Sequence, residues 1–272
     1  MSTVKSRVGS RAFLIIMAYI LCVGAAVGVK LYLEHLDTKI AQASAADETE
    51  RLKTMYNPPW FSKTRYSTSA PTSIWVVANK KNPINPINYQ PKNLVTVQGM
   101  EVDARIADDL QDLLAAAKAD GLDLRIISAY RSYDMQKELF DMYTAQDGQA
   151  VAEGYSARPG YSEHQLGLAV DFDNTSGGCT LDGCFGRTAE GLWLADNAHR
   201  FGFIVRYEEG MTETTGYIPE SWHFRYVGKD LAAEMSRTDT KTLEEFFNIP
   251  GGNYVDALDN NSGRNKITNN TY

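Results

Sequence analysis

The 272-residue chain holds four histidines, and two of them stand near carboxylates at spacings that suit a metal centre. His164 lies in the run Pro159-Gly160-Tyr161-Ser162-Glu163-His164-Gln165-Leu166-Gly167-Leu168-Ala169-Val170-Asp171. Pro-Gly marks a turn, and Gly167 lets the chain bend between His164 and the strand expected to carry Asp171. Asp171 and Asp173 project to one strand face, so spacing alone allows either as a ligand and the other as its support. The second cluster is Pro219-Glu220-Ser221-Trp222-His223. On a regular strand Glu220 and His223 would point to opposite faces, whereas a turn at Pro219 would swing Glu220 back toward His223. Two imidazoles, one carboxylate and water make a catalytic zinc shell with one position open to substrate. A second carboxylate left off the metal can accept the water proton. Without a joint role, the same residues are a loop histidine, a surface aspartate and a strand Trp-His pair. His35 and His199 have the surroundings of ordinary surface or packing residues.

The elements that must position these groups follow from periodicity. Leu124–Tyr130, Leu168–Phe172, Gly202–Tyr207 and Trp222–Val227 are strand candidates, and Ile74–Ala78 is an apolar run of strand length. Apolar residues at 102, 106, 110, 113, 114 and 117 predict a helix within 101–120, stopped by Gly121. Further helices are expected over Tyr133–Tyr143, Glu190–His199, Lys229–Met235 and Thr240–Phe247. Pro83, Pro86 and Pro91 demand an extended passage. Helices before and between antiparallel-capable strands give an α+β class: a single domain over 70–248, with a central antiparallel sheet flanked by helices. From Ile249 the chain is rich in Asn and Gly, so 249–272 is expected to be a flexible tail.

Residues 12–29 form an apolar run without a charge, which as a helix would be about 27 Å long. Lys5, Arg7 and Arg11 precede it, so the N-terminal end stays in the cytoplasm. The expected order is a cytoplasmic stretch (1–11), a transmembrane anchor (12–29), an extracytoplasmic stalk (30–69), the domain and the tail. This predicts a single-pass protein of the cell membrane with its catalytic domain outside. A cleaved signal peptide is the competing reading, but the run exceeds an ordinary h-region and the small residues at Ala41–Ala46 lie far behind it. Cys179 and Cys184 can close a small loop in an oxidising compartment, and no further ligands stand nearby for a Cys-rich metal site. Lys plus Arg is 27 against 34 Asp plus Glu, a net charge of −7, which argues against a nucleic-acid partner.

Ser128-Ala129-Tyr130-Arg131-Ser132-Tyr133, the SxHxxGxAxD run from Ser162 to Asp171, and ExWH from Glu220 to His223 together resemble the VanY-like D-alanyl-D-alanine carboxypeptidases. These are zinc peptidases of bacterial cell-wall metabolism, and they include L,D-carboxypeptidases of the same fold. The likeness extends to Asn79–Pro83, Cys179–Gly186 and Gly202–Tyr207, and so covers about residues 74–247. It implies a Hedgehog/D,D-peptidase-like fold and one Zn2+ on His164, Asp171 and His223, with Glu220 as catalytic base. Arg131 would stabilise the substrate carbonyl as it becomes tetrahedral. Gln136, Arg158, Ser162 and Ser128 fall where similar enzymes hold the substrate, a peptidoglycan stem peptide. Ser221 stands where family members often carry proline, which touches turn rigidity rather than chemistry. Neither Gly-x-Ser-x-Gly nor Ser-x-x-Lys surrounds Ser128 or Ser162, which disfavours a serine nucleophile. Tyr130, Tyr133 and Trp222 either line the cleft or fill the core. The alternative to an enzyme is a membrane-tethered module that binds peptidoglycan without chemistry. Retention of Glu220 beside all three ligands favours the enzyme.

Overall fold

The computed structural model describes residues 61–254 and, before them, Lys30, Leu33, His35, Leu36, residues 38–40 and Ser44, which are helical. The expected span over 12–29 and residues 255–272 lie outside the described residues. Among the described residues no helix is long and apolar enough to cross a membrane.

The first regular structure from residue 61 onward is an antiparallel hairpin, Leu94–Val97 (β1) and Met100–Asp103 (β2). Gln98 and Gly99 join its strands with φ of 48° and 84°, a two-residue turn whose twist matches that of the flanking strands. The hairpin corrects the helix expected over 101–120. Val102 faces Val95 across the ladder, and helix α1 runs only from Ala107 to Ala119. The carboxylate of Asp103 accepts from the Arg105 N–H and caps the turn between them. The helical period holds from Ile106 onward, with Ile106, Leu110, Leu113 and Ala117 buried.

The remaining elements are β3 (Leu124–Ser128), α2 (Tyr133–Asp147), α3 (Gln149–Tyr155), β4 (Ala169–Asn174), α4 (Ala189–Asn197), β5 (Phe203–Tyr207), α5 (Thr212–Thr215), β6 (Glu220–Tyr226), α6 (Lys229–Thr238) and α7 (Leu243–Phe247). Four strands form one antiparallel sheet in the order β3-β4-β6-β5. Val170, Phe172 and Phe224 of the central strands pack with Ile106, Leu110, Leu113 and Leu194 from the helical side. Each such side chain contributes about 1.5–3 kcal/mol on burial. The opposite faces of the same central strands carry polar residues, among them Asp171 and His223, which are directly paired.

The run Ile74–Ala78 begins in a turn at Ile74 and Trp75, continues irregularly and joins no strand. Trp75 and Val77 fill a second core with Phe61, Leu231, Leu243 and Phe246, while Val76 and Ala78 enter the first. Its carbonyls are satisfied by a side chain instead of a ladder: Arg225 donates to Ile74 O and Val76 O at 3.0 and 2.7 Å. Phe61 stacks on Trp75 with ring centroids 5.7 Å apart, so the packed unit begins nine residues before the expected boundary at 70. At the other end it continues past 248 to Tyr254. Pro250 O accepts from the Asn79 and Asn82 amides, and the Tyr254 hydroxyl accepts from the Arg158 N–H at 2.8 Å.

Candidate metal centre and active-site cleft

Each proposed ligand is held by a different local device. His164 sits in a single 3-10 turn, Glu163–Leu166, that ends at Gly167 with φ 66°. Only glycine suits that position, because a Cβ would meet the Asp103 backbone nitrogen at 2.9 Å. The loop after β3 grips this turn twice. Ala129 O lies 2.7 Å from His164 Nδ1, and the Arg131 N–H donates to His164 O at 3.2 Å. A proton on Nδ1 leaves Nε2 as the free donor, facing Asp171 Oδ2 at 3.2 Å. Asp171 and His223 are opposed across β4 and β6, with Oδ1 3.0 Å from Nδ1. The two imidazole centroids are 4.9 Å apart in an edge-to-face arrangement.

His164, Asp171 and His223 are all buried, and one potential donor atom from each lies within 4.8 Å of the others. Two nitrogens and a carboxylate oxygen suit zinc by number and by chemical type. Asp173, the other aspartate on that strand face, is bound instead to Arg125 at 2.7 Å and to the Thr180 hydroxyl. Glu220 stands outside the three-donor group, with Oε2 3.8 Å from His223 Nδ1.

Electrostatics separates the carboxylates. Burial opposes charge on Asp171, but the two imidazoles override it and hold its carboxyl well below the usual range. Glu163 behaves likewise, because Arg206 and Arg225 outweigh its burial. Glu220 goes the other way. Burial pushes it up to about 8, Asp171 and Glu163 add to the effect, and His223 and Arg131 only partly oppose it. Desolvation lowers His164. Burial also disfavours charge on His223, yet its bond to Asp171 and the nearby carboxylate of Glu163 win and raise it to about 9 in the metal-free chain.

The triad and Glu220 open onto a cleft of about 420 Å³ whose wall includes Arg131, Gln136, Ser162 and Trp222. Arg131 is strongly desolvated beside Asp171 and Glu220. Gln136 donates to Ala157 O at 2.8 Å while its carbonyl oxygen stays unpartnered. Two other sequence candidates are not on the wall. Ser128 is paired with Asp171 across the sheet, and Arg158 binds Glu153 and lies over the Tyr254 ring. Of the three aromatics considered, Trp222 lines the cleft and Tyr130 and Tyr133 do not. Cys179 and Cys184 are joined by a disulfide, and Leu181 inside that loop lines the cleft. Sequence reasoning missed Tyr207, Tyr217 and Glu163. Tyr207 and Tyr217 are contributed by the end of β5 and the turn before β6, and nothing in their spacing marked them. Glu163 had one signal, its place beside His164.

A family model described as VanY, D-alanyl-D-alanine carboxypeptidase, matches residues 99–229. YodJ of Bacillus subtilis (strain 168) is 41% identical over 187 residues, covering 65% of this chain and 68% of its own length. The chain belongs to the VanY family. Solved structures agree with that assignment. The LdcB LD-carboxypeptidase is 39% identical, with a TM-score of 0.61 over 67% of this chain and 89% of its own. A mutant of the vancomycin-resistance D,D-pentapeptidase VanY, solved with Zn(II), is 38% identical, with a TM-score of 0.55 over 64% and 98%. This VanY-family chain is thus an enzyme of the zinc metallo-carboxypeptidase type, and its buried His2Asp group fits that metal.

Proposed function

We propose that the chain removes the terminal D-alanine of peptidoglycan stem peptides, with one zinc on His164, Asp171 and His223 and with Glu220 as general base. The observation that carries this reading is the place of Glu220: buried at the cleft, 3.8 Å from a ligand imidazole, yet outside the donor group. A binding surface has no need of such a carboxylate.

Zinc, when bound, supplies Lewis acidity that makes water nucleophilic near neutral pH. The protein supplies the rest. Glu220, buried at the cleft beside the donor group, takes the proton of the attacking water and passes it to the leaving amine. Arg131 is desolvated beside it and donates to the carbonyl oxygen as negative charge grows there. Gln136 and Ser162 hold the peptide from the cleft wall. Ser128 backs that wall through its pairing with Asp171. Residues 12–29 tether the domain on the outer side of the cell membrane, and a disulfide between Cys179 and Cys184 suits that compartment.

The test is to incubate the full chain, in mild detergent, with a defined stem pentapeptide and tetrapeptide. D-Alanine release that a chelator stops and zinc restores supports the proposal, and the peptide consumed identifies the bond cut. Release indifferent to chelation would reject it.

A further inference from the structure

Glu163 is wholly buried next to His164, and the reaction described above gives it no task. Its Oε1 accepts from Arg206 Nε at 2.8 Å and from Arg225 Nη1 at 2.7 Å. Its Oε2 has no hydrogen-bond partner, and neither has Nε2 of His223. These two atoms face one another at 3.7 Å. The carboxylate is not free to turn away. Arg206 is gripped by both oxygens of Glu244 at 2.7 and 2.9 Å, and Glu244 accepts from the Asn79 amide at 2.8 Å. Arg225 is fixed on the carbonyls of Ile74 and Val76. Two guanidinium charges thus balance two carboxylates in a sealed cluster, and one oxygen is left over, aimed at a ligand imidazole. The ring itself is confined by His164 and by Tyr207, whose centroid is 5.0 Å away.

An imidazole that binds a metal through one nitrogen must carry its hydrogen on the other, and the acceptor of that hydrogen fixes the ring. We propose that Glu163 is the positioning residue of the metal centre: it accepts the Nε2 hydrogen of His223 and so holds Nδ1 toward Asp171 and the metal. This rests on the ligand assignment made under the proposed function. It gives a task to Arg206, Arg225, Glu244 and Asn79, which orient the acceptor from remote parts of the chain.

The test uses the full chain stripped of metal and titrated with zinc against a chromogenic chelator, with the thermal midpoint of the metal-free protein followed in parallel. Glu163→Asp keeps a charge for the arginines and withdraws the carboxylate from His223, and should weaken zinc binding by about 10–100-fold. Phe61→Ala removes a ring from the second core, away from this cluster, and should lower the midpoint while holding affinity within about threefold. In the zinc-loaded natural protein, nitrogen–proton correlation should show a slowly exchanging hydrogen on Nε2 of His223, which decides the matter even if a variant does not fold. Equal affinity losses in the two variants, undiminished affinity in folded Glu163→Asp, or an unprotonated Nε2 would overturn the proposal. Failure of the natural protein to take up one zinc would instead overturn the ligand assignment beneath it.

Discussion

Glu220 and His223 lie three residues apart on one strand, yet Glu220 Oε2 approaches His223 Nδ1 to 3.8 Å. Strict alternation would separate residues at an odd spacing onto opposite faces. The register shows how they meet. Val205 pairs with Phe224 and Tyr207 with Glu220, so β6 spends three residues where β5 spends one. The bulge re-aims Glu220 toward the face that carries His223, a common use of such irregularities beside active sites.

Because Glu220 stands off the donor group, Glu220→Ala should still bind one zinc per chain. Its kcat should fall by about 10²–10⁴-fold, the range for loss of a general base. Metal content and D-alanine release, measured on one preparation, check both halves.

Arg131→Ala should cost about 10²–10³-fold in kcat, the usual loss for one oxyanion donor, with little change in KM. Arg131→Lys should recover only part, since an ammonium keeps the charge but not the planar fork. A change confined to KM would assign Arg131 to ground-state binding.

A carboxyl raised from 4.5 to about 8 has a definite stability signature in metal-free protein. Protonated Glu220 favours the folded chain, so its contribution is complete below pH 4.5 and is lost as pH climbs through about 8. Glu220→Gln should therefore match the natural protein below pH 4.5 and become progressively the more stable of the two up to pH 8. Urea titrations with chelator present, repeated across that range, measure the gap; a gap that shrinks with rising pH contradicts the burial argument.

Phe61 stacks on Trp75 and meets Phe246 edge-on, with ring centroids 5.7 Å apart in both pairs. Phe61→Ala should destabilise the domain by about 3 kcal/mol, toward the low end for a buried phenylalanine. Removing residues 1–69 should do at least as much harm. Urea midpoints of the two proteins against the full chain decide whether the domain starts at 61 or at 70.

What could be read from the sequence divides along physical lines. His164, Asp171, Glu220 and His223 stood out because metal and base chemistry demands few residue types, and the turns at Pro159-Gly160 and Gly167 are written locally. The hairpin was hidden because Val102 and Ile106 happen to continue the spacing of α1, while pairing of Val102 with Val95 depends on a partner outside any helical window. The domain limits were misplaced for a similar reason. Phe61 and Tyr254 belong to no apolar periodic run along the chain but find Trp75 and Tyr161 in space. The approach of Glu220 to His223 was legible as a turn at Pro219, but the bulge within β6 that accomplishes it leaves no reliable local trace. The task proposed for Glu163 was equally invisible, because Arg206 and Arg225 reach it from 43 and 62 positions away.

Asp171 and His223 are opposed by register, while Val170 and Phe224, one step along, form the next pair and turn into the apolar core. A slip of a single position would evert the ligand pair and expose hydrophobic side chains together. One register therefore sets both the buried Val170–Phe224 pair and the Asp171–His223 pair, and a slip cannot disturb one without the other.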